Sequence, residues 1–233
     1  MRTIPVLALT LAIAVTTGTA FAADISGRVT FDGEPPERRP LKMNADPKCV
    51  EIHGGTEVLS RDTLVSEDGG LANVFLYLET PPAGTFPTPS EPVILSQEGC
   101  LYTPRVQGIV LEQTLQIENA DDTLHNVRAL AVKNRPFNLG QPPATPPRKK
   151  TFKVVEPALG FKCDVHPWMK ATVFVLDHPF YGVSSPDGSF RIADVPAGTY
   201  TVIAWHEKLG EQKLEVTVDG SGAELAVAFA SAE

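Results

Sequence analysis

Apolar residues recur at every second position through much of this chain. Leu115 and Ile117 alternate with Gln116 and Glu118, and Leu214, Val216 and Val218 alternate with Lys213, Glu215 and Thr217. The same period runs through Phe190/Ile192, Tyr200/Val202 and Leu225/Val227/Phe229. A period of two turns one face of an extended strand to a core and the other to solvent. No window of a dozen residues carries the 3.6-residue period of an amphipathic helix. Turn pairs punctuate the runs: Asp32-Gly33, Asp68-Gly69-Gly70, Asp187-Gly188, Pro196-Ala197-Gly198 and Asp219-Gly220. Short strands with frequent turns predict an all-β chain of sandwiches or Greek-key barrels. Two stretches, 80–92 and 136–147, hold five prolines each. The first is expected to be a linker and the second a long loop.

The start of the chain predicts export. Arg2 gives a positive end, residues 4–15 are almost wholly apolar, and Ala20-Phe21-Ala22 offers a small-x-small cleavage site. The apolar run is too short for a membrane span, no later stretch reaches that length, and no cysteine near Ala22 could take a lipid. A periplasmic or secreted protein without a membrane anchor is expected. The whole chain carries 20 basic and 28 acidic residues, a net charge of −8, and loss of Arg2 makes it more negative. This disfavours nucleic acid and anionic membrane surfaces as partners, and permits a basic protein partner. Three cysteines remain: Cys49, Cys100 and Cys163. An oxidising compartment closes thiol pairs, so Cys49 and Cys100 are expected to bridge, leaving Cys163 as the odd thiol.

That odd thiol lies in Phe161-Lys162-Cys163-Asp164-Val165-His166-Pro167-Trp168-Met169-Lys170. A thiolate, an imidazole and a thioether fall within seven residues, with strand-like sequence on both sides. A loop between two strands can fold all three around one point. Soft sulfur with imidazole favours copper, and two His with one Cys and a weak axial Met is the blue-copper arrangement. The second imidazole should come from another strand, and His125 in Leu124-His125-Asn126-Val127 qualifies. Zinc is a weaker alternative because its structural sites use no thioether. A Cys–His nucleophile is weaker still, since nothing supplies an orienting third group or an oxyanion site. His53, His178 and His206 read as solvated turn or satisfied core histidines, and Arg148-Lys149-Lys150 as a solvated strand start.

Cys163-x2-His166-x2-Met169, with the upstream His125-Asn126 pair, resembles the ligand loop of the cupredoxins, and its short His-to-Met spacing is similar to that of amicyanins. The resemblance spans residues 92–177. It implies one type I copper per chain on His125, Cys163, His166 and Met169, with Asn126 bracing the cysteine loop. It further implies no enzymatic turnover, but one-electron transfer between donor and acceptor redox proteins of the cell envelope. The ring edge of His166 would lie near an apolar surface bordered by Pro167 and Trp168. The rival functions are copper binding or storage without turnover, and a structural envelope role.

A second resemblance flanks the first. Ser185-Pro186-Asp187-Gly188-Ser189-Phe190-Arg191-Ile192 and Val195-Pro196-Ala197-Gly198-Thr199-Tyr200 look like a carboxypeptidase-regulatory-like (transthyretin-type) β-sandwich, and Ile25 to Pro36 looks like its opening strand and turn. Neither flank has enough strands to close a sandwich alone. The expected organisation is a signal peptide at 1–22, the N-terminal part of the regulatory-like sandwich at 23–91, an inserted cupredoxin Greek-key sandwich at 92–177, and the C-terminal part of the smaller sandwich at 178–233. The rival is a simple tandem.

Overall fold

The computed structural model describes residues 22–231, so the expected export signal lies outside the described residues except for Ala22. The chain is all-β, and its described residues form four sheets and one short α-helix, Pro47–Ile52, after a 3₁₀ turn at Met43–Ala45. None of the helices among the described residues is long and apolar enough to cross a membrane.

Two sheets are built jointly from the two ends of the chain. Strand Ala22–Asp32 lies between Ser189–Pro196, antiparallel, and Ala223–Ala230, parallel. Strand Phe75–Leu78 lies between Tyr181–Val183 and Gly198–His206, and Gly210–Val218 completes that sheet. The alternating residues point inward as the period of two requires: Ile25, Val29, Leu76, Leu78, Phe190, Ile192, Val202, Val216, Leu225 and Phe229 share one buried cluster. Residues 80–92 contain no strand, yet Phe86 packs edge-on against Phe180 with ring centroids 5.0 Å apart.

The other two sheets come from the middle of the chain. One runs Leu101–Thr103, Val93–Glu98, Leu115–Asn119, Arg148–Lys150. The other runs Val106–Val110, Lys170–Leu176, Glu156–Lys162, His125–Ala129, Phe137–Gln141. They enclose a second core that includes Leu95, Ile109, Ile117, Val127, Phe161 and Val173. The stretch expected as one long loop, 136–147, is partly strand: Phe137–Gln141 pairs in full with His125–Ala129. Pro136 and Pro142 flank this strand rather than interrupt it, and it sits at a sheet edge, where missing N–H donors cost little.

The two cores meet through aromatic packing. Phe75 stacks on Phe174 at 3.9 Å between ring centroids, and Tyr181 and Trp205 close the same cluster. Gly108 is needed there, because a Cβ at that position would lie 2.4 Å from the Tyr181 ring. Buried Arg105 clamps the seam, donating to Glu207 at 2.5 and 2.9 Å and to Asp62 at 2.5 Å.

Candidate metal centre

Strands Glu156–Lys162 and Lys170–Leu176 pair as a hairpin up to Lys162–Lys170, so residues 163–169 form its connection. The connection is held by its own backbone: Met169 N–H donates to His166 O at 2.9 Å, and Cys163 N–H donates to Met169 O at 3.2 Å. These turns fold Cys163 and His166 together and bury both, along with Met169. His166 N–H donates to Cys163 Sγ at 3.3 Å. His125 opens the neighbouring strand and is fully buried beside them. One nitrogen of each His and the Cys163 sulfur lie within 4.8 Å of one another. Asn126 reaches across as expected: its Oδ1 accepts from Asp164 N–H at 2.8 Å and from the Cys163 thiol at 3.2 Å.

Two carboxylates that the sequence did not reveal complete the site. Asp121 Oδ2 is 2.8 Å from His125 Nε2, and Asp46 Oδ2 is 2.8 Å from His166 Nε2. Asp121 is itself locked by the turn at Gly99–Cys100, accepting their N–H groups at 2.7 and 2.8 Å. Both turn residues have positive φ, 63° and 54°, as a two-residue type I′ hairpin turn requires. The fold therefore aims two adjacent N–H groups at one carboxylate.

Hydrogen-bond accounting then constrains the centre. An ionised carboxylate only accepts, so both Nε2 atoms carry protons. Burial alone would raise the Asp121 pKa, but the His125 bond and the two turn N–H groups outweigh it and hold it low. The His166 bond holds Asp46 low against its own partial burial. In each neutral ring, Nδ1 is then the lone-pair nitrogen. The two Nδ1 atoms face each other at 2.9 Å, with Cys163 Sγ 3.8 Å from that of His166. Two lone pairs cannot face at that distance without a positive charge between them, either a shared proton or a metal cation. Burial pushes the Cys163 thiol up, but the His125 ring and the N–H groups of Asn126, His166 and Val165 outweigh it, leaving the thiol below its usual range. Burial pushes His125 down, but the Asp121 and Cys163 bonds raise it overall. The donor set thus fits a soft or borderline cation: two imidazole lone pairs and a sulfur primed to ionise.

The sequence expectation fails for the ring edge of His166. The residue is 1% exposed, and its outer nitrogen meets Asp46 instead of an apolar surface. Residues 41–58 fold over it. Cys49 and Cys100 form the expected disulfide, and Met43, Leu41, Val58 and Trp168 pack around that bridge. The Trp168 indole donates to Cys100 O at 2.9 Å. His53, His178 and His206 stay outside the centre. His53 bonds Gly99 O at 2.8 Å, while His178 and His206 are buried near the other core.

No protein-family model and no curated protein matches the chain. Among solved structures it is similar to a Cu-containing nitrite reductase (NirK) from Thermus scotoductus SA-01, with TM-score 0.35 and 22% identity over 42% of this chain. The match spans about a quarter of that enzyme, 26% of its length. An oxidised amicyanin variant gives TM-score 0.31 and 20% identity, covering 36% of this chain and 80% of the amicyanin. A purple cupredoxin from Nitrosopumilus maritimus gives TM-score 0.29 and 22% identity, covering 36% and 97%. These overlaps are partial, and the functional reading rests on the side chains above.

Proposed function

We propose that this chain is an exported copper protein that carries one electron at a time, with a single type I-like site. The observation that carries the reading is the pair of buried imidazole Nδ1 atoms 2.9 Å apart, with the Cys163 sulfur 3.8 Å from that of His166. Copper would be held by His125, His166 and Cys163, with the buried Met169 as the weak fourth ligand. Bound copper supplies a Cu(II)/Cu(I) couple and, through the thiolate, strong visible absorption. The chain's own residues do the rest. Asp121 fixes the tautomer of His125, Asn126 holds the cysteine loop, and the surrounding core keeps water from the sulfur.

The Cys49–Cys100 bridge supports an oxidising, extracytoplasmic location. The pairing of Ala22–Asp32 with Ser189–Pro196 and Ala223–Ala230 supports reading 92–177 as a unit inserted into a regulatory-like sandwich. Partners would be an electron donor and an acceptor protein, with no turnover of substrate.

Copper holding without turnover is a second reading, and the covered His166 edge favours it. A copper titration with reductive cycling separates the two. The carrier reading expects one copper per chain, bleached by one electron equivalent and restored on reoxidation. Copper that is released on reduction would favour holding, and no binding would refute both. Met169→Leu is expected to keep the copper and shift the potential, because the axial bond is weak.

A further inference from the structure

The N-terminal segment sends one side chain to the candidate centre. Asp46 uses its two oxygens differently. Oδ1 accepts Lys48 N–H at 2.9 Å and caps the helix Pro47–Ile52. Oδ2 accepts His166 Nε2–H at 2.8 Å and the Thr123 hydroxyl at 3.2 Å. Thr123 precedes His125 by two residues, so Asp46 joins the two segments that bear the imidazoles.

The segment cannot drift far. The helix carries Cys49, bridged to Cys100, and Cys100 N–H is bound to Asp121, which holds His125. Leu41 N–H closes the base of the segment on Val58 O at 2.8 Å, and His53 pins its far side to Gly99 O at 2.8 Å. The disulfide therefore fixes a carboxylate beside one imidazole through the same turn that fixes a carboxylate beside the other.

We propose that Asp46 is a positioning residue for the metal ligand His166, delivered from the N-terminal segment and matched to Asp121 on His125. The proposal rests on the copper reading above. Two effects follow from the geometry. A carboxylate on Nε2–H fixes the ring so that Nδ1 points at Cys163, and it raises the basicity of that nitrogen. A fixed negative charge near the ion also favours the more highly charged, oxidised state.

The test uses Asp46→Ala and Asp46→Asn in the full chain, read in two ways. In the metal-free protein, ¹⁵N–¹H couplings of the imidazoles report the tautomer. The expected wild-type result is an Nε2–H signal for His166 protected from exchange, and its protection is lost in Asp46→Ala while that of His125 survives. In the copper-loaded protein, Asp46→Ala should stay coloured but bind Cu(II) roughly tenfold to a hundredfold more weakly. If Cu(I) binding is unchanged, the midpoint potential rises by about 59 mV per tenfold. Asp46→Asn keeps an acceptor and a capping oxygen without the charge, and should shift the potential in the same direction by less. It supplies the answer if the alanine variant does not fold.

A coloured wild type with both variants unchanged in potential and affinity overturns the positioning role and leaves the copper reading intact. A wild type that takes up no copper sinks the copper reading, and the tautomer of metal-free His166 then decides alone. A wild-type His166 with no proton on Nε2, or one whose Nε2–H is unaffected by Asp46→Ala, overturns the proposal.

Discussion

The chain buries two pairs of histidines in two cores, and they have opposite surroundings. His125 and His166 each give their outer nitrogen to a carboxylate, Asp121 or Asp46. His178 and His206 have no such partner among the described residues. His178 Nδ1 accepts the Phe180 N–H at 3.2 Å, His206 Nδ1 accepts the Lys208 N–H at 3.3 Å, and His206 Nε2 meets no partner among the described residues. Burial pushes both of these rings down, His206 to about 4, whereas His125 is raised despite being fully buried. Burial alone makes a histidine neutral and inert. A carboxylate behind the ring fixes which nitrogen carries the proton and leaves the other as a lone pair for a cation.

Cutting the disulfide tether should separate the two histidine pairs most visibly. Cys49→Ala with Cys100→Ala opens a loop of 51 residues and should cost about 4 kcal/mol in the chain-entropy account. It should also expose His166, detectable as faster exchange of its ring N–H, and leave His178 and His206 unchanged. Unchanged denaturation midpoints would show that the bridge adds nothing to this half.

Asp121→Ala comes next. It strands the N–H groups of Gly99 and Cys100 and the His125 ring together, so a loss of about 3 kcal/mol is expected from removing one member of a buried pair. Urea denaturation measures this, and a loss below about 1 kcal/mol would mean that water replaces the carboxylate without difficulty.

The solitary pair gives the third and smallest effect. The His206 pKa falls from 6.5 unfolded to about 4 folded. The unfolded chain therefore binds the extra proton first, and stability that is complete above pH 6.5 declines as pH falls toward 4. At pH 5 the loss relative to pH 7 should be about 2 kcal/mol. In His206→Phe this part of the acid limb should flatten, with copper uptake unchanged. An identical acid limb in the variant would assign the loss to other groups.

Much of the fold and of the ligand cluster is legible in the sequence, and the exceptions have physical causes. The alternating strands at 189–205 and 214–229 stand out because one face of each is buried. The ligand cluster stands out because Cys163, His166 and Met169 are rare residues close together. Phe137–Gln141 was hidden because its prolines mimic a loop, although Phe137, Leu139 and Gln141 alternate in burial with Asn138 and Gly140. Asp46 and Asp121 were hidden for the opposite reason. They are two of 28 acidic residues, both in turn-like sequence, and nothing local separates a carboxylate facing a histidine from one facing water. The Asp46-Pro47 pair, an N-cap three residues before the bridged Cys49, was the one available signal. The same gap produced the failed expectation for the His166 edge, because the covering segment lies 120 residues away in sequence.

His125, Cys163 and His166 are proposed to form one copper site with a thiolate ligand. The most direct test is the visible spectrum of the purified chain after addition of one equivalent of Cu(II), beside Cys163→Ser treated identically. A strong visible charge-transfer band is expected in the wild type and not in Cys163→Ser. A colourless copper-loaded wild type, or a band that survives in Cys163→Ser, would rule out Cys163 as the thiolate ligand of such a site.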